Sequence, residues 1–132
     1  MKKQRIVVTF GTFDLFHVGH LRMLLRAKTF GDKLVVGVSS DQLNFQKKNR
    51  YPEFNQDERR EIVNMIKCVD SVFIEESLEL KLEYLRQHSA DVMVIGDDWK
   101  GQFDNCKAVC DVIYLPRTPS ISTTAIIEKV RS

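Results

Sequence analysis

The residues best suited to chemistry lie together between Gly11 and His20, in the decapeptide GTFDLFHVGH. His17 and His20 are three apart and flank Gly19, so on a helix both imidazoles project from one face near its first turn. The first backbone N–H groups of a helix have no intrahelical partner and sit at the positive end of its dipole, which suits phosphate. Gly19 removes a side chain where a ligand would approach. The residues alone leave two other readings open: a pair of histidines packed structurally on a core helix, and an H-x-x-H metal site with Asp14 as third ligand. The second lacks a clear set of protein ligands.

Two further stretches carry unusual chemistry. In Gly96 to Trp99 (GDDW), Asp97, Asp98 and Trp99 would shape a pocket for a base or an acceptor, although a lone tryptophan is also a common core anchor. In Arg117 to Thr124 (RTPSISTT), a guanidinium and hydroxyls precede a helix start capped by Ser122 or Thr123.

These stretches need a scaffold to bring them together. Arg5–Phe10 reads as a strand, Val18–Phe30 as a helix ended by Gly31, and Lys33–Ser39 (KLVVGVS) as a fully apolar second strand. Residues 40–54 have no steady period, and they read as a short helix or turn from Asp41 followed by a mobile loop. Asn55 with Glu58 forms a capping-box-like start for a helix to about Cys68. Val69–Glu75 is a third strand, Ser77 caps a helix bearing Leu78, Leu82 and Leu85, and Asp91–Ile95 and Asp111–Leu115 are the fourth and fifth strands. A helical turn near Cys106 to Cys110 and a final helix with Ile126, Ile127 and Val130 as its apolar side complete the chain.

Continuous apolar strands alternating with helices predict an α/β fold: a Rossmann-like, doubly wound parallel sheet of five strands, order 3-2-1-4-5, with helices on both faces. In such a sheet ligands bind beyond the carboxyl ends of the strands, where strand order reverses. The loops leaving strands one, four and five are the three chemical stretches above, so all three face one crevice.

The 132 residues fit a single domain, 1–132, and 43% apolar with 29% charged residues is the composition of an ordinary globule. No run approaches a membrane span, and the N-terminus lacks the apolar core of a signal peptide. Three sparse cysteines, Cys68, Cys106 and Cys110, argue for a reducing compartment, so the expected location is the cytoplasm with no membrane partner. The net charge of +2 is too small to argue for nucleic acid, and none is expected as a partner. The cluster Lys47, Lys48, Arg50, Arg59 and Arg60 suits a small polyanion better than a long one, with a solvated basic face as the alternative.

GTFDLFHVGH resembles the signature of the cytidylyltransferases within the H-x-G-H nucleotidyltransferase superfamily. Relatives that move adenylyl groups usually have a proline after the Phe-Asp pair, where Leu15 stands here. The resemblance runs along nearly the whole chain through NFQKKNR, DERREIVNMIKCVD, GDDWKGQFD and YLPRTPSISTT, and it is strongest to the compact bacterial-type branch. The chain departs from that pattern in lacking a glycine before Ile121, in Lys67 and Cys68 before Val69-Asp70, and in Asn49 where a second loop lysine is usual.

That resemblance implies transfer of CMP from CTP to glycerol 3-phosphate, a small phosphomonoester, with Mg²⁺ bound mainly through the CTP phosphates. It implies that His17, His20, Lys47 and Arg117 are catalytic and that Thr12, Phe13, Gly19, Thr118, Ile121, Ser122 and Thr123 join the histidines around the nucleotide. It further implies Lys47 and Lys81 at the acceptor phosphate, Asp14 fixing the loop, and a homodimer with Val69-Asp70 near its interface. Another acceptor or an adenine nucleotide, and a CTP-binding sensor without catalysis, are the competing expectations.

Overall fold

The computed structural model describes residues 3–116 and 122–131. Five strands, β1 (Ile6–Gly11), β2 (Lys33–Ser39), β3 (Ser71–Glu75), β4 (Val92–Gly96) and β5 (Asp111–Leu115), form one parallel sheet. Its order is β3-β2-β1-β4-β5, as the sequence pattern predicts.

Alternation along each strand sorts the core into two layers. Val7, Leu34, Val36, Val92 and Val94 face one side with Leu24 and Ala27 of α1 (Val18–Lys28) and Val63 of α3 (Gln56–Asn64). Val8, Val35, Met93 and Ile95 face the other with Tyr84 and Leu85 of α4 (Lys81–Gln87) and with Phe103 and Cys106. Both faces are therefore covered, which is why the strands read as unbroken apolar runs.

Several boundaries differ from the sequence expectation for identifiable reasons. The short helix expected from Asp41 is present as α2 (Asp41–Lys48), two full turns long. The Ser40 side chain accepts from the Leu43 N–H at its start, and Asn49 ends it in the left-handed conformation at φ 58°. Helix α3 stops at Asn64 because the chain tightens there, Met65 N–H bonding to Ile62 O and Ile66 N–H to Val63 O. The Asn55 and Glu58 capping box is present. Ser77 caps a short 3₁₀ turn, Leu78–Leu80, ahead of α4, and 3₁₀ turns also cover Asp97–Trp99 and Asp104–Ala108.

The last helix, α5 (Thr123–Arg131), buries Ile127 but leaves Val130 81% exposed, so its apolar side is narrower than the sequence pattern indicates. No helix among the described residues is long and apolar enough to cross a membrane.

Candidate active site at the carboxyl ends of the central strands

The β1–α1 connection is held in a shape its residue types would not adopt alone. Phe13 and Leu15 both have positive φ, 56° and 47°, a region that costs a non-glycine residue about 1 kcal/mol or more. Asp14, buried between them, supplies the restraint. Its Oδ1 accepts from Leu15 N–H (3.1 Å) and Phe54 N–H (2.9 Å), and its Oδ2 accepts from Glu53 N–H (2.8 Å). The Thr123 hydroxyl donates to Asp14 O at 2.8 Å, which ties the start of α5 to the same loop. Asp14 thus fixes the loop, as its type and position suggest, and both its oxygens are already used.

The two histidines cap α1 for each other. His17 is the N-cap, and its Nδ1 accepts from Gly19 N–H at 3.0 Å, while the His17 N–H donates to His20 Nδ1 at 3.2 Å. The rings stack with centroids 3.8 Å apart, and His20 also packs against Phe13 and Phe16. Burial, then the neighbouring His17 and Lys48, pushes the His20 imidazole down to about 4 against the opposing pull of Asp14. Burial likewise lowers His17. Both rings are therefore neutral at physiological pH, and because each Nδ1 accepts a backbone N–H, each ring carries its proton on Nε2. His17 Nε2 is buried with no hydrogen-bond partner among the described residues. An orphaned buried N–H donor is costly unless a ligand meets it.

A cavity of about 280 Å³ opens here, where strand order reverses between β1 and β4. Of the residues singled out in the sequence, it brings together Thr12, Phe13, Asp14, His17, Gly19, His20, Asp98, Trp99, Ser122 and Thr123. Ser122 Oγ accepts from Ala125 N–H at 3.1 Å, so Ser122 caps α5 and keeps its own proton to donate. Asp97 lies on the adjoining turn, exposed and away from the cavity wall. Arg117, Thr118 and Ile121 lie outside the described residues.

The Thr12 hydroxyl is not turned to a ligand but donates to Asn44 Oδ1 at 2.8 Å and lies 3.2 Å from Ser39 Oγ. It belongs to a buried network around Arg59, which is 0% exposed. Arg59 donates to Phe54 O (2.9 Å), Thr12 O (2.8 Å), Ser39 O (2.8 Å) and Asp41 Oδ1 (2.8 Å). One guanidinium thereby locks the ends of β1, β2 and the 49–55 connection. Sequence reasoning placed Arg59 in a basic cluster and missed this role, because a fully paired arginine and a solvated one look alike in sequence. Arg26, Asn44, Lys48, Arg50 and Tyr51 also line the cavity and were not singled out as site residues.

The two lysines sit differently from the expectation. Lys47 is in the last turn of α2, its ammonium 5.8 Å from the Trp99 ring centroid, and burial pushes it down to about 8 despite the pull of Glu75. Like Lys47, Lys81 is not part of the cavity wall. It is 3% exposed, ion-paired with Glu75 and seated over the rings of Phe10 (3.7 Å) and Phe103 (4.7 Å). Its place at the start of α4 is as expected, but the helix turns the side chain inward to Glu75 at the end of β3. Val69 and Asp70 are likewise spent within the chain: Val69 is buried, and Asp70 binds Lys28 (2.8 Å) and Leu34 N–H (2.8 Å).

Fold, helix-start histidines and cavity fit the H-x-G-H nucleotidyltransferases that the sequence resembles, and comparison with known proteins shows the family. The Cytidylyltransferase-like family profile matches residues 8–129, so the chain belongs to that family. It is 48% identical over 132 residues to the glycerol-3-phosphate cytidylyltransferase of Bacillus spizizenii, covering 100% of this chain and 99% of that protein. With the glycerol-3-phosphate cytidylyltransferase of Staphylococcus aureus it shares 40% identity over 94% of this chain and 93% of that one. The FAD synthase of Thermococcus sibiricus is more distant, 34% identical over 98% and 95%. Among solved structures, a lipopolysaccharide core biosynthesis protein from Thermoplasma volcanium superposes with TM-score 0.74 at 23% identity, over 88% of this chain and 98% of that one, which shows the shared fold.

Proposed function

We propose that the chain transfers the cytidylyl group of CTP to glycerol 3-phosphate, forming CDP-glycerol and pyrophosphate. The observation that carries the reaction is the neutral, stacked His17 and His20 pair at the start of α1, with a buried Nε2–H on His17 left without a partner beside the cavity. The substrate pair is supported by the full-length identity of 48% and 40% to two glycerol-3-phosphate cytidylyltransferases.

In this reading an oxygen of the acceptor phosphate attacks the α-phosphorus in line, the bond from that phosphorus to the bridging oxygen breaks, and pyrophosphate leaves. No protein nucleophile is required, so catalysis is positioning and stabilisation of charge on the phosphoryl oxygens. His17 and His20 donate Nε2–H to those oxygens, and the N–H groups at the start of α5, tied to the β1–α1 loop through Thr123 and Asp14, add donors with Ser122. Thr12 and Phe13 contribute backbone and ring surface, Gly19 leaves room, and Arg117 and Thr118 complete the phosphate contacts. Lys47 is the cation for the acceptor phosphate, with the Lys81 and Glu75 pair behind it. Asp98 and Trp99 border the same space.

Both Asp14 oxygens hold backbone N–H groups, and no cluster of three or more His, Cys, Asp or Glu among the described residues could hold a metal ion. A divalent cation fits this site as part of the substrate, Mg·CTP, where it would draw charge from the leaving phosphates. The proposed assembly is a homodimer with its interface in the neighbourhood of Val69 and Asp70, which follow the 77% exposed Met65 in the chain. The proposed location is the cytoplasm.

Pyrophosphate release with each ribonucleotide and a panel of phosphomonoesters tests this function. CTP with glycerol 3-phosphate is the expected productive pair. Turnover only with another pair, or CTP binding with no turnover, would overturn the substrate or the catalytic reading respectively.

A further inference from the structure

Helix α1 lines the cavity with more than its two histidines. His20, Met23 and Arg26, each three residues on from the last, all face it, and at the helical rise Arg26 stands about 9 Å beyond His20. Phosphates held at the start of α1 would leave the base of the nucleotide to lie along the helix toward Arg26. Arg26 Nη2 donates to Pro116 O, just past β5, at 2.8 Å, and Pro116 also lines the cavity. This bond aims the guanidinium and sets a carbonyl oxygen beside its remaining N–H donors.

We infer that Arg26 and the Pro116 carbonyl together read the Watson–Crick edge of cytosine and that Arg26 sets the choice of CTP over UTP. The inference rests on the CTP reading above. A guanidinium has five N–H donors in one plane and no acceptor, and a carbonyl oxygen has two lone pairs, one of them used here by Arg26. Side by side they offer donor, donor, acceptor. Cytosine presents the complement: O2 and N3 accept, and the N4 amino group donates. Uracil, the same size, places an N3–H against a guanidinium N–H and an O4 against the Pro116 oxygen, so two of three contacts become like against like. Once a bound base covers this pair and excludes water, such an analogue is rejected, because the polar groups it covers lose their partners.

The test is steady-state kinetics of Arg26→Met and Arg26→Lys with CTP and with UTP at saturating glycerol 3-phosphate. The expected result is a fall of about 100-fold in kcat/KM for CTP, carried by KM, with UTP within about threefold of wild type. The CTP-to-UTP ratio then drops about 100-fold, and Arg26→Lys, which lacks the planar fork, does not restore it. If Arg26 merely held Pro116 in place, both nucleotides would lose equally, and an unchanged ratio overturns the inference. A second arm needs no variant: wild-type protein should bind 3-deaza-CTP, whose N3 is replaced by C–H, about 10-fold or more weakly than CTP, and equal affinity overturns the inference. Wild-type protein that neither binds nor turns over CTP overturns the CTP reading itself, a result distinct from an unchanged ratio in the variants.

Discussion

Two cations near the carboxyl ends of β1, β2 and β3, the buried Arg59 and the half-buried Lys47, have opposite surroundings. Arg59 is fully enclosed, and its donors meet three carbonyls and a carboxylate. The Lys47 ammonium makes no hydrogen bond or ion pair with any described residue; it sits 5.8 Å from the Trp99 ring centroid and feels the Glu75 carboxylate only at longer range. A buried charge with every nitrogen paired is part of the frame, whereas a half-buried one short of acceptors is held at a cost that an incoming anion relieves. The difference therefore assigns structure to Arg59 and ligand to Lys47, though both arose from the same basic stretch of sequence.

The sharpest way to break this comparison is to remove Arg59. Arg59→Met strands the carbonyls of Thr12, Ser39 and Phe54 and the Asp41 carboxylate, and should cost about 3–5 kcal/mol in denaturant unfolding. A loss below about 1 kcal/mol would mean that the network is not structural. Lys47→Ala should do the reverse. Stability should change by less than about 1 kcal/mol, while kcat/KM for glycerol 3-phosphate falls about 100-fold or more. Unfolding and initial-rate measurements on the two variants would invert the assignment if their effects were exchanged.

A pH profile sharpens the same contrast. Lys47 is charged below about 8 and neutral above it, so kcat/KM for the acceptor should decline as pH rises through about 8. In Lys47→Arg, which stays charged, that decline should disappear. Arg59 has no counterpart to this behaviour, because a guanidinium does not titrate in the range.

A further effect, on stability against pH, lies with His20. Its folded pKa, about 4, is below the unfolded value of 6.5, so the unfolded chain binds more protons between those limits. Stability is then intact above pH 6.5 and lost as pH falls toward 4, by at most about 3 kcal/mol after full traversal. His20→Asn should flatten that part of the unfolding curve against pH.

Much of this architecture could be read from the sequence because it follows from period and punctuation. Unbroken apolar strands mark a sheet covered on both sides, and β5 and the Asn55–Glu58 capping box lie where pattern alone puts them. The histidine pair was legible because its residue types and spacing are unusual together. What was hidden is everything set by partners distant in sequence. Thr12 spends its hydroxyl on Asn44, thirty-two residues away, and Lys81 spends its charge on Glu75. Helix α2 was legible only as a short helix or turn from Asp41, because its sequence is polar and its caps, Ser40 and Asn49, carry the boundary that hydrophobic period does not. Arg26 gave no sequence signal, since its acceptor lies ninety residues further on.

The central claim is that two neutral imidazoles donating from Nε2 carry the transfer, and single-turnover pyrophosphate release tests it most directly. With saturating CTP, Mg²⁺ and glycerol 3-phosphate at pH 7.5, His17→Ala and His20→Ala should each slow release by about 100- to 1,000-fold, and circular dichroism should remain that of the wild type. Release within about threefold of wild type in both variants would contradict the account.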